Sequence, residues 1–400
     1  MNNETRKETQ VLPKDVRCVG ADDLTLSLFE NQYPVQPMGV SYNSYLILDE
    51  KIAVMDSVDA RAADEWLAKL AHELDGRRPD YLVISHMEPD HSGSILRLAE
   101  KYQEMKLVGN TKTFTMLRQF FGAKAPTDDR LLEVGEGETL PLGAHTLHFM
   151  LAPMVHWPEV MVAYEETEKL LFSADAFGRF GALSRTAGAP WAPQARRYYY
   201  NIVGKYGAQV QALLKKASAL EIKTVCPLHG PVLTGEALGE ALRLYDLWSR
   251  WQSESPDDIL LAHASIHGNT ARAAELLKQK LEAKGARVTL CDLTTTEVSY
   301  AVANAFCCGK LVLACSTYDG GLFPPMEEFL SHLQAKGFRS RTVGLMENGS
   351  WAPAAARLMR AKLEEMKDLR VCGTVVSLRS ALSPASEAQM EALSAELCAK

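Results

Sequence analysis

Four side chains able to bind a metal fall within the six residues His86-Met87-Glu88-Pro89-Asp90-His91. Three more candidates, His156, Asp175 and His229, lie downstream. Each stands just past an apolar run: the motif after 81–84, His156 after 146–151, Asp175 after 169–173 and His229 after 224–226. A strand end fixes a loop while the loop projects its side chains outward, so strands sharing a sheet would bring all seven to one edge. Pro89 stiffens the chain between the ligands. Four imidazoles and three carboxylates form a harder donor set than the nitrogen- and sulfur-rich sites of zinc, and they suit non-haem iron. Asp175 is the natural bridge, because one carboxylate reaches two metals through its two oxygens. His72, His145, His148 and His332 are expected to pack or to face solvent. Tyr198, Tyr199 and Tyr200 are also expected to pack, although they are candidates to donate hydrogen bonds or protons.

A second set of chemistry-bearing residues lies in the last third of the chain. Ser265-Ile266-His267-Gly268-Asn269-Thr270 separates an apolar run from a helical pattern. Hydroxyls and a glycine at a helix N-terminus make an anion pocket, since free N–H groups and the helix dipole both favour negative charge. Ser265, Asn269 and Thr270 add donors without any lysine or arginine, which suits a phosphate monoester such as that of FMN. The segment is neither a Walker loop nor G-x-G-x-x-G, which disfavours ATP and NAD. Two later loops, Ser316-Thr317-Tyr318-Asp319-Gly320-Gly321 and Asn348-Gly349-Ser350-Trp351, also follow apolar runs. They offer backbone donors and aromatic faces for a flat ring, with Trp351 the first choice to cover it and Tyr318 the second.

The elements that must position these residues divide into two groups. After residue 258, apolar runs at 259–264, 288–290, 311–315, 342–346 and 371–376 alternate with helical patterns at 270–284, 325–336 and 352–367. Such alternation predicts a parallel sheet covered on both faces. Before it, runs 42–48 and 52–56 flank the turn Asp49-Glu50-Lys51 and predict a hairpin; 208–219 reads as a helix and 179–200 as an ordered loop. The polar run 253–258 reads as a linker. The expected division is therefore a domain over 1–252, a linker over 253–258 and a domain over 259–400.

Composition bounds the function. A chain of 400 residues is too long for one typical core. A formal net charge of −7 argues against a nucleic-acid partner. The N-terminus lacks the apolar stretch of a signal peptide, and no run is long enough to span a membrane. The eight cysteines form no C-x-x-C pair, which disfavours a disulfide framework or an Fe–S site and points to the cytoplasm. Cys307 and Cys308 read as a buried apolar pair.

The ligand pattern resembles the metallo-β-lactamase superfamily and, within it, the flavodiiron proteins. Hydrolytic members usually carry H-x-H-x-D-H, whereas this chain has Glu88 in place of the second histidine. Eighteen residues lie between His156 and Asp175, the spacing used by flavodiiron proteins. The S-x-H-G-N-T segment at 265–270 resembles their flavodoxin half, although His267 and Asn348-Gly349-Ser350-Trp351 depart from typical flavodoxins. The resemblance runs from about Pro34 to the C-terminus. It implies an αββα sandwich followed by a flavodoxin-like doubly wound five-stranded sheet. It implies one iron on His86, Glu88 and His156, the other on Asp90, His91 and His229, and Asp175 between them. It also implies reduction of dioxygen to water or of nitric oxide to nitrous oxide, with FMN relaying electrons. The donor would be a small protein such as rubredoxin, and the unit a head-to-tail homodimer, with a tetramer also open. The alternative expectation is a zinc-dependent hydrolase of the same fold fused to a flavodoxin module.

Overall fold

The structure, a computed structural model, describes residues 12–399. The N-terminal stretch 1–11, where no leader is expected, lies outside the described residues. The chain separates into two compact units, one holding the chain to Tyr199 plus Ala208–Asp246, the other Tyr200–Gly207 plus the chain from Leu247.

The first unit contains two six-stranded mixed sheets. In one, the strands Ala53–Met55, Tyr81–Val83 and Lys106–Gly109 run parallel, and Tyr45–Ile47 pairs antiparallel with Ala53–Met55 as the expected hairpin. In the other, Thr146–Leu151, Met161–Glu165 and Leu170–Phe172 form a meander, and Thr224–Cys226 joins parallel to the last of these. Alternate residues of both sheets meet in one core: Tyr45, Met55, Val83 and Val108 from the first, Leu147, Phe149, Met161 and Phe172 from the second. The intervening residues Leu46, Val54 and Leu82 are also fully buried, so these strands are covered on their other face too. Sheets covered on both faces read as continuous apolar runs, which is what the sequence shows. The helix Ala63–Leu74 buries Ala63, Trp66, Leu70 and Leu74, the stripe a surface helix presents to a core.

The second unit is a parallel sheet with strand order Val288–Asp292, Ser255–Ala264, Cys308–Tyr318, Thr342–Asn348, Arg370–Leu378. The order reverses beside the first strand, so the loops after Ala264 and Tyr318 open at the switch point where doubly wound folds bind ligands. Here the expected linker needs correction. The strand Ser255–Ala264 begins inside it, and the units divide between Asp246 and Leu247. The polar residues are the exposed start of a strand: Asp258 pairs with Arg287 at 2.6 Å, and Gly309 lets the neighbouring strand pass Pro256, where a Cβ would lie 2.0 Å from the Pro256 carbonyl.

Other differences have equally local causes. The expected loop 179–200 contains the helices Leu183–Thr186 and Trp191–Tyr198. Its periodicity is masked because the second helix buries Arg197 alongside Trp191, Ala195 and Tyr198. Two further helices, Val298–Cys307 and Pro384–Cys398, complete the doubly wound unit. Of the adjacent cysteines, Cys308 is buried but Cys307 only partly so.

Candidate metal centre and anion pocket

The strand Tyr81–Val83 ends at a turn held from two sides. Buried Asp56, at the end of the neighbouring strand, accepts hydrogen bonds from Ser85 N at 2.7 Å and Ser85 Oγ at 2.6 Å. Buried Glu159 accepts from Met87 N at 2.8 Å. Pro89 is then the first residue of a one-turn helix, Pro89–Ser92, which carries Asp90 and His91. Proline suits that position because its missing N–H would have no helical partner there. The loop carrying His229 is clamped by Asn43, whose side-chain amide donates to the carbonyls of Pro227 and Gly230 at 2.8 and 2.7 Å.

The structure gathers all seven sequence-identified side chains into two adjoining groups: His86, Glu88, His156 and Asp175, and Asp90, His91 and His229. In the first, His156 Nε2 lies 2.9 Å from Glu88 Oε2 and 3.0 Å from Asp175 Oδ2, and His86 Nε2 lies 3.5 Å from the same Asp175 oxygen. In the second, His91 Nε2 lies 3.0 Å from His229 Nε2 and 3.2 Å from Asp90 Oδ2. Asp175 reaches this group through its other oxygen, with Oδ1 3.3 Å from His91 Nε2. Donor atoms around an ion at roughly 2.1 Å stand about 3 Å from their neighbours, so these separations match two coordination shells that share a carboxylate.

The residues fit metal ions on independent grounds. Both Asp90 oxygens, Asp175 Oδ1, Glu88 Oε2 and both His86 nitrogens are buried without a hydrogen-bond partner. Leaving such atoms unmatched costs about 1–3 kcal/mol each, more where charged, unless a cation joins them. The electrostatics agree. Burial alone would lower the histidines, yet the carboxylates hold His91 up at about 10 and His156 at about 9, and keep His86 well above its usual range. Burial would raise Asp175, but His86 and the neighbouring imidazoles pull it well below the carboxylate range. The pocket therefore attracts positive charge strongly. His229 Nδ1 faces the Ser41 carbonyl at 2.7 Å, which fixes the N–H there and leaves Nε2 free as a ligand atom. Phe29 and Tyr42 pack against the imidazoles, with ring centroids 5.4 and 6.0 Å from His229.

Two neighbours extend the set. Tyr198, expected to pack but also a candidate donor, donates its hydroxyl to Asp175 Oδ2 at 2.9 Å, while Tyr199 and Tyr200 are buried. Burial and the adjacent Asp175 push the Tyr198 phenol well up, so it stays a donor. Glu30 turns its carboxyl against Glu88, and burial together with Glu88 pushes it up to about 7. Its place is a tight turn in which Glu30 and Asn31 both take positive φ, 50° and 53°. Asn31 was the available signal. Of the histidines set aside, His145 is buried between Asp15 and Glu165, His148 pairs with Glu166, and His72 is exposed.

In the second unit a cavity of about 550 Å³ opens over the three expected loops. Ser265, His267, Asn269, Thr270, Ser316, Thr317, Tyr318, Asp319, Gly320, Asn348, Gly349, Ser350 and Trp351 line it; Gly268 and Gly321 do not. Gly268 instead serves the turn into the helix Asn269–Ala283 with φ 86°, and its N–H donates to Ser265 Oγ. Thr270 Oγ1 and Ser316 Oγ lie 2.8 Å apart, and Asn348 Nδ2 donates to Thr270 Oγ1 at 3.2 Å, so the loops share one polar network. Ser380, absent from the sequence reading, joins through Ser350 Oγ at 2.6 Å. The Thr317 hydroxyl points away, accepting from Ala354 N and Ala355 N at the start of the helix Ala355–Glu364. No lysine or arginine lines the cavity, while Trp351 stands 89% exposed and Tyr318 44% exposed at its rim.

Comparison with known proteins agrees with both halves. The family model described as "ODP family beta lactamase" matches residues 40–230, a span that holds all seven candidate ligands. The rubredoxin-oxygen oxidoreductase of Megalodesulfovibrio gigas is 28% identical over 87% of each chain. The nitric oxide reductase of Moorella thermoacetica is 27% identical over 87% of this chain and 88% of its own. The crystal structure of the flavodiiron protein from Giardia intestinalis superposes with a TM-score of 0.87 at 25% identity, covering 97% of both chains. A metal-ligand cluster in a sandwich of two sheets, a doubly wound unit with a cation-free pocket, and relatives that match nearly end to end lead to one assignment: the chain belongs to the flavodiiron proteins.

Proposed function

We propose that His86, Glu88 and His156 hold one iron ion, that Asp90, His91 and His229 hold a second, and that Asp175 lies between them. The chain is an oxidoreductase that reduces dioxygen to water, nitric oxide to nitrous oxide, or both. The irons supply binding and reduction of the diatomic, and FMN in the second unit supplies one- and two-electron relay from an external donor. The observation that carries this reading is Asp175, whose two oxygens face two separate groups of ligands.

The chain's own residues do the remaining work. The Ser41 carbonyl orients His229, and Asp56 and Glu159 fix the turn that carries His86 and Glu88. Tyr198 keeps a proton beside Asp175 Oδ2, and the Glu30 carboxyl stands against Glu88 at the edge of the site. Aromatic side chains around the imidazoles keep water from the site. In the second unit, the hydroxyls of Ser265 and Thr270 and the start of the helix Asn269–Ala283 would receive the FMN phosphate. Tyr318 and Trp351 would flank the ring.

The names of the relatives support oxygen and nitric oxide chemistry and do not favour the zinc hydrolase alternative. We extend the reading to a rubredoxin-like donor, a homodimer or tetramer in which one chain's flavin serves the other's metals, and a cytoplasmic site of action. Eight free cysteines support the last, and no helix among the described residues is long and apolar enough to cross a membrane. The test is anaerobic reduction followed by separate turnover with oxygen and with nitric oxide, with iron and flavin quantified on the same sample. Two irons and one FMN per chain with diatomic consumption are expected. Two zincs with ester hydrolysis and no diatomic consumption would overturn the proposal.

A further inference from the structure

The parallel strands whose C-terminal ends carry the candidate metal loops have a second edge at their N-terminal ends. Beside it lies a cavity of about 640 Å³. That volume is within the usual range for small-molecule sites. Its lining brings together Lys51, Arg78, Lys101 and Lys106 against only two carboxylates, Asp80 and Glu104. This is a local cationic excess in a chain whose net charge is −7.

The two carboxylates cancel only part of that excess, because Asp80 is already paired with Lys51. Asp80 is engaged at both oxygens, by Lys51 Nζ at 3.1 Å and by Ile52 N at 2.8 Å. Lys106 donates to the Asp129 carbonyl, which holds its position, and the exposed Asp129 carboxylate screens it only in part. Arg78 and Lys101 are exposed at the cavity wall and form no ion pair among the described residues. Scattered surface lysines are ordinarily just solvated, but these four converge on one concavity with a buried floor of Pro79 and Met105. A cleft lined by one sign of charge over low-dielectric walls concentrates the field within it. The half-buried rings of Tyr81 and Tyr102 add flat apolar faces, and Lys101 Nζ stands 5.6 Å from the Tyr102 centroid.

We propose that this cavity binds a phosphate-bearing small molecule of the nucleoside diphosphate class. Arg78 would meet an oxyanion with its planar fork, Lys101 and Lys106 would supply point charges, and a tyrosine ring would stack on the base. The site is independent of the metal and flavin chemistry, because it sits at the other end of the strands and shares none of those residues.

The experiment uses the full chain loaded with iron and flavin, so that the flavin pocket is filled. ADP and inorganic pyrophosphate are each titrated by calorimetry at low and high salt, with Arg78→Glu/Lys101→Glu and Tyr102→Leu in parallel. Both probes should bind the wild type, more weakly at high salt, and the charge reversal should weaken both at least about tenfold while flavin content stays unchanged. Tighter binding of ADP that falls to the pyrophosphate level in Tyr102→Leu would support the nucleotide; equal affinities would support the phosphate site and assign it to free polyphosphate. No binding of either probe, or binding that survives the charge reversal, overturns the proposal. Should the double variant not fold, Arg78→Gln and Lys101→Gln singly must each weaken pyrophosphate binding.

Discussion

The two sites of this chain are built on opposite principles. The candidate metal centre is made of charge: its histidines and Asp175 are at most 10% exposed in their side chains, and several polar atoms there wait for a cation. The pocket of the second unit is made mostly of hydroxyls, backbone and aromatic rims, with Asp319 its one carboxylate, no lysine or arginine, and Trp351 almost fully exposed. The first must hold its ligand through direct bonds in a low dielectric, where each residue is indispensable. The second must hold a cofactor through many weak contacts while leaving one edge open for electrons to enter. Loss of one residue should therefore be catastrophic in the first and graded in the second.

The sharpest way to break that contrast is Asp175→Ala. Both metals should be lost together, with turnover down at least about 100-fold, because the shared carboxylate touches both groups. Retention of one iron by elemental analysis would show that Asp175 is not shared. Glu88→His comes next: iron content should fall about tenfold at limiting metal in favour of zinc, and diatomic reduction with it. Unchanged iron and turnover would remove Glu88 from the argument for iron. On the graded side, Trp351→Ala should weaken flavin binding by about 1–2 kcal/mol without emptying the pocket, read by flavin fluorescence titration. Tyr198→Phe should leave iron content intact and lower turnover by about tenfold or less, the worth of one hydrogen bond to a charged group.

The smallest effect concerns stability. His145 is buried, yet the carboxylates of Asp15 and Glu165 outweigh burial and raise its affinity for a proton. A value raised in the folded state gives stability that is complete below the unfolded value and fades as pH rises through the folded one. The thermal midpoint of the wild type should therefore exceed that of His145→Gln at acidic pH, and the gap should close as pH rises. A gap that is constant across pH would mean that His145 contributes only packing.

The gathering of the seven candidate ligands was legible because they sit just past apolar strands, where topology alone predicts convergence. What escaped was the surrounding support. Asp56, Glu159 and Asn43 act by accepting or donating to backbone groups far away in sequence, and no spacing announces such a bond. Which of the three tyrosines 198–200 would donate was not readable, because the helix that carries Tyr198 buries an arginine and shows no clean stripe. The five parallel strands of the second unit were readable from their apolar runs, but the helix Val298–Cys307 was not, since a largely apolar helix shows no polar stripe. The helix Pro384–Cys398 was readable in principle: Ser383 caps it, Pro384 opens it, and Ser386 returns the bond. The linker was misjudged because exposed polar residues at a strand's start look like a loop.

The hydroxyl of Thr317 links two things that the chain keeps far apart. It belongs to a loop that lines the cofactor cavity, yet it accepts the first amide protons of the helix Ala355–Glu364. Anything that steadies that loop also steadies the helix start. Hydrogen exchange at Ala354 and Ala355 should therefore slow when the cavity is filled, which gives a reporter of occupancy at amides outside the cavity lining.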